Sequence, residues 1–68
     1  MKNYGLNSEQ EAVDGAIVLS KKLKSDVVVY SDINGWAFSD YSNYDRPDSL
    51  VDLCFSNGEE VDFPFYQS

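Results

Sequence analysis

The chain contains no histidine, and its reactive side chains come down to twelve carboxylates, five tyrosines and a single cysteine. Without histidine, no side chain has an unperturbed pKa near neutrality. Cys54 stands in an apolar run with no histidine to activate it, which reads as a small packing residue. The serines likewise lack a base. Paired carboxylates can do acid–base work of the kind used on glycosides, but that chemistry needs a substrate cleft, which a domain of 68 residues rarely encloses. The inventory therefore argues against an enzyme.

Asp40, Asp45 and Asp48 crowd one stretch and raise the question of a cation. Calcium takes six or more oxygen ligands, usually on a loop turned by glycine. This stretch has no glycine, and Arg46 puts a positive charge in its middle. There is no cysteine–histidine set for zinc, and the four glycines are too dispersed for a phosphate loop. Neither a metal nor a cofactor is expected.

What remains is charge, and it is divided along the chain. Residues 1–24 carry Lys2, Lys21, Lys22 and Lys24 against Glu9, Glu11 and Asp14, a net of +1. Residues 25–68 carry Asp26, Asp32, Asp40, Asp45, Asp48, Asp52, Glu59, Glu60 and Asp62 against Arg46 alone, a net of −8. An acidic half of this kind attracts basic surfaces and is repelled by nucleic acid and anionic membrane, so neither is expected as a direct ligand. Residues 1–10 are too polar for a secretory signal, and the apolar runs 16–19 and 27–30 are too short to span a bilayer. With no cysteine pair for a disulfide, the expected compartment is the cytoplasm.

A 43% hydrophobic and 15% aromatic content is too high for a disordered chain, so residues 1–68 are read as one small folded domain. The thin core of such a domain leaves room for a homodimer. Helical periodicity runs over residues 9–24, opened by Ser8 and Glu11 as a capping box. Ala12, Val13, Ala16, Ile17, Leu19, Ser20 and Leu23 fall on one stripe. Gly15 interrupts the helix and suggests close packing there.

Two hairpins follow. Asn34–Gly35 suits a two-residue turn that pairs Ile33 with Trp36, Ser31 with Phe38 and Val29 with Asp40. Around Asn57–Gly58, a three-residue loop from Ser56 to Gly58 keeps the alternation, pairing Leu53 with Val61 and Val51 with Phe63. Pro64 marks the last strand, within residues 50–66, as an edge. The expected architecture is α+β: one amphipathic N-terminal helix packed on a four-stranded antiparallel β-meander made of the two hairpins. Strands in chain order are the simplest layout, although Val27–Val28–Val29 would also suit a central strand.

In that layout the sheet's outer face and neighbouring loop carry Tyr30, Asp32, Tyr41, Tyr44, Asp45, Asp48, Asp52, Glu60 and Asp62. Tyrosine supplies desolvated area and a hydrogen bond, while carboxylates steer and select a basic partner. These nine residues are the candidate partner-binding set. The functional expectation is a non-enzymatic inhibitor that occludes a basic, nucleic-acid-binding surface of another protein. In size and acidity the chain resembles small phage-encoded inhibitors of host nucleases, CRISPR effectors and restriction enzymes, a likeness of composition without a shared motif. The same physics fits an immunity protein or antitoxin against a basic toxin, and a structural homo-oligomeric subunit is the alternative in a different class.

Overall fold

The computed structural model describes residues 8–33 and 35–63. Its elements are helix α1 (Glu9–Leu23) and strands β1 (Asp26–Asp32), β2 (Gly35–Asp40), β3 (Val51–Ser56) and β4 (Glu59–Val61). Single 3₁₀ turns at Tyr41–Asn43 and Asp48–Leu50 lie between β2 and β3. The helix packs on a four-stranded antiparallel sheet, the expected α+β fold.

The helix starts and stops for local reasons. Ser8 Oγ accepts the Glu11 N–H at 3.3 Å, which satisfies one of the first turn's unpaired donors. At the other end Lys24 adopts a left-handed φ of 53° and closes the helix. Ala12, Ala16 and Ser20 are fully buried, while Val13, Ile17 and Leu19 pack at the margin of the core. Leu23, expected on the same stripe, is 47% exposed at the last turn. Gly15 is needed where it stands, because a Cβ there would lie 2.4 Å from the Phe38 ring.

The strands are not laid out in chain order. The sheet runs β2-β1-β3-β4, so β1 sits in the interior and the segment 41–50 must cross over it to reach β3. This corrects the expected meander and explains the Val27–Val28–Val29–Tyr30 run, all of it buried. A strand covered on both faces reads as a continuous apolar run, not an alternating one.

Register differs at both turns. In the first hairpin Asp32 pairs with Gly35, Ser31 with Trp36 and Val29 with Phe38, displacing the reversal by one residue. That displacement sets Val29 against Phe38 instead of Asp40 and leaves Ile33 at the tip, 99% exposed. Both registers keep the same parity, so Val27, Val29, Trp36 and Phe38 still share the helix side. In the second hairpin the turn is the two-residue Asn57–Gly58, with φ of 52° and 86°. Cys54 therefore pairs with Val61, Phe55 with Glu60 and Ser56 with Glu59, correcting the three-residue loop. The apolar-to-acidic pairing of Phe55 with Glu60 is tolerable because β4 is an edge, where Glu60 reaches water. Pro64 and the rest of the expected last strand lie outside the described residues.

A β-bulge completes the difference. Val29 pairs with Leu53 but Tyr30 pairs with Val51, so Asp52 is the extra residue. Unbulged pairing would have set Asp52 against Tyr30; the bulge expels the carboxylate to solvent and turns Val51 to the second face. That face is a second core: Val28, Tyr30, Ala37 and Cys54 are buried, roofed by Tyr41, Tyr44, Leu50, Val51, Val61 and Phe63.

Candidate acidic binding surface

The crossover segment decides which acids remain available. Arg46 Nη1 donates to Asp32 Oδ2 at 2.8 Å, and the Asp32 side chain is only 8% exposed. The bond ties the crossover to the end of β1. The roof it anchors is aromatic: Tyr44 meets Tyr30 edge-on at 5.0 Å, and Tyr41 meets Phe63 edge-on at 5.6 Å. Tyr44 hydroxyl donates to the Pro47 carbonyl at 2.7 Å, and Tyr41 hydroxyl donates to the Asp48 carboxylate at 3.2 Å. Desolvation and the Asp48 charge push both tyrosine pKa values up, so both phenols keep their protons well above neutral pH.

Of the nine candidate residues, the structure draws two inward. Tyr30 is 7% exposed, a core residue under the crossover, and Asp32 is shielded and ion-paired. Tyr41 and Tyr44 are half-buried with their hydroxyls engaged. Asp45, Asp48, Asp52, Glu60 and Asp62 are exposed, the Asp45 side chain at 90%.

These acids do not share one sheet face. Glu60 pairs with Phe55 and so stands on the helix side of β4, while Glu59 pairs with Ser56 on the other side. Asp48 opens the turn that feeds β3, Asp52 is the bulge, and Asp62 lies one residue beyond the Cys54–Val61 pair. The result is a band wrapped around the β3–β4 edge. No Lys or Arg occurs from residue 47 to residue 63. Glu59 was missed because the three-residue loop would have turned it toward Phe55; the Asn–Gly dipeptide was the signal for the shorter turn.

Carboxylates elsewhere are locally satisfied. Asp40 accepts from Ser42 Oγ at 2.6 Å and from Asn43 Nδ2 at 2.9 Å, which holds its pKa below the usual aspartate range. Glu9 behaves in the opposite way. Its carboxyl hydrogen-bonds Asp52 across the gap between helix and bulge, and this bond, with the repulsion of the second carboxylate, raises its pKa. Asp26 lies between two shallow hollows, one of about 190 Å³ toward Tyr41 and Ser42, the other of about 390 Å³ toward Val61 and Asp62.

Cys54 is 1% exposed, and burial pushes its thiol up to about 11, so it is protonated at neutral pH. Among the described residues no three Asp, Glu, Cys or His side chains gather as a metal site. No described helix is long and apolar enough to cross a membrane. Comparison with known proteins finds no matching family model, curated relative or solved structure.

Proposed function

We propose that the chain is a non-enzymatic binding protein whose acidic β3–β4 edge occludes a basic surface of another protein, one that normally holds nucleic acid. The observation that carries this reading is the concentration of Asp48, Asp52, Glu59, Glu60 and Asp62 on one hairpin and its lead-in turn, a segment with no Lys or Arg of its own and with Lys21 of the helix lying along its Gly58. Neighbouring strands lie about 4.8 Å apart, within the roughly 8 Å Debye length at physiological salt, so these carboxylates act as one field. Such a field speeds encounter with a basic partner and rejects acidic ones. The bulge that exposes Asp52 supports the same reading, since it spends a ladder position to keep a carboxylate in water. The binding set is thus Asp45, Asp48, Asp52, Glu59, Glu60 and Asp62, with Tyr41 and Tyr44 serving to hold the crossover that presents Asp45 and Asp48.

The inhibitor reading is tested by capture and competition. The partner is recovered on immobilised protein from a lysate of the native cell and identified, and its binding is then titrated against duplex DNA and RNA. A basic partner displaced by saturating nucleic acid agrees with the proposal. A partner whose binding is indifferent to nucleic acid contradicts the mimic, and is the outcome an immunity protein would give.

A further inference from the structure

The two edges of the sheet are defended unequally. Strand β4 is three residues long and carries Glu59 and Glu60, a charged and short edge of the kind that resists pairing. Strand β2 at the opposite edge is twice as long, Gly-Trp-Ala-Phe-Ser-Asp, with one charge at its far end and no proline or lysine. Two of the three exposed large aliphatic side chains among the described residues also lie on this side. Ile33, 99% exposed, is the tip of the β1–β2 hairpin. Val18, 65% exposed, follows Gly15 by three residues on the helix flank above β2, where Gly15 meets Phe38.

We propose that β2 pairs antiparallel with β2 of a second copy, joining two sheets into one of eight strands. The sequence of the strand selects the register. A two-fold axis normal to the sheet must set residues of equal parity opposite one another, or the faces would not match. With the axis through Ala37, Trp36 of each copy stands across from the partner's Phe38, an aromatic pair on the helix side. Ala37 meets the partner's Ala37, and Gly35 meets the partner's Ser39, so the second face carries only small side chains. Half the main-chain groups of an edge strand point away from its neighbour, and in this register each such set meets its own kind in the partner. Phe38 keeps its contact with Gly15 throughout. The α-helices, each lying over β1 and β2, come side by side across the seam with their Val18 flanks facing.

What favours the second copy is the self-complementary register, and charge permits it. The pairing puts the acidic β3–β4 edges at the two ends of the joined sheet, as far apart as the fold allows, so a chain of net −7 can associate with itself there. Residual repulsion makes the dimer stronger at higher salt. The inference stands apart from the proposed function, because it uses the opposite edge.

Sedimentation equilibrium of the full chain tests it, from about 10 µM to about 1 mM, a span that brackets weak self-association. The expected result is a mass rising from one chain toward two, at lower concentration in 0.5 M than in about 0.05 M salt, while emission from the single Trp36 shifts to the blue in step. Ser39→Lys, which puts a charge on the edge strand, should weaken the dimer tenfold or more. Ile33→Glu, at a position too exposed to affect folding, should weaken it severalfold. A mass of one chain throughout overturns the inference. So does a dimer that forms with unchanged Trp36 emission, or one that both variants leave intact.

Discussion

Ser20 is the one polar side chain wholly buried in the described core, and its hydroxyl is used twice. It donates to the Ile17 carbonyl at 3.0 Å and accepts the Gly58 N–H at 2.8 Å, linking the helix to the β3–β4 turn. Ser20→Ala removes both bonds and leaves the Gly58 N–H without its partner. A loss of about 1–3 kcal/mol is expected in urea unfolding. Gly15 gives a second prediction in which two effects compete. Alanine would favour the helix by roughly 1 kcal/mol, but its Cβ would meet the Phe38 ring at 2.4 Å. The clash wins, since overpacking in a fitted core costs typically about 1–3 kcal/mol, so Gly15→Ala should lower the melting temperature. Two perturbed carboxyls give pH signatures of opposite sign. The Asp40 contribution is present above the usual aspartate range and lost as pH falls through its lowered pKa. For Glu9 the raised pKa means that stability is lost as pH rises from the usual glutamate value, about 4.3, through the folded one. Glu9→Gln should therefore flatten the decline of melting temperature over that window while leaving the acid limb intact.

At the scale of elements, what was legible followed from local rules and what was hidden followed from pairing. Ser8, the 3.6-residue stripe and the close packing suggested by Gly15 sufficed to place the helix and its packing face. The two hairpins were legible from their Asn–Gly dipeptides. The position of the first turn, the length of the second and the bulge were not, because an alternation such as Val51–Asp52–Leu53 describes either a regular strand with one apolar face or a bulged strand that serves two cores. The unbroken Val27–Tyr30 run was the residue-level sign of a covered second face, and it outweighs the preference for neighbours in chain order. Covering that face is the work of the crossover, which leads to a prediction at this scale. Arg46→Ala leaves the shielded Asp32 carboxylate without its 2.8 Å partner and frees the aromatic roof. Arg46 is itself 33% exposed, so the loss falls below that of a fully buried pair, at roughly 1–2 kcal/mol by urea unfolding. Hydrogen exchange should rise first in segment 41–50 and only later in β1.

For the whole molecule, the division of charge along the sequence is kept only in part in space, because the helix brings Lys21 against the β3–β4 turn. The lysines close the helix, where Lys21 lies along Gly58, and the carboxylates of the second half are sorted by the fold. Asp32 and Asp40 are absorbed into internal bonds, whereas Asp45, Asp48, Asp52, Glu59, Glu60 and Asp62 stay exposed, Asp48 while accepting from the Tyr41 hydroxyl and Asp52 beside Glu9. The acidic surface was legible as an amount of charge but not as a place, because its position depends on a bulge and a turn that shift side chains by one residue. The measurement that tests the account most directly is the affinity of the captured basic partner for the wild-type chain and for the triple variant Asp52→Lys, Glu60→Lys, Asp62→Lys, with circular dichroism of both. The account predicts a variant that folds as well as the wild type, since relieving like charges is favourable, yet binds at least tenfold more weakly, a difference of about 1.4 kcal/mol or more. A folded variant that binds its partner as tightly as the wild type would contradict it.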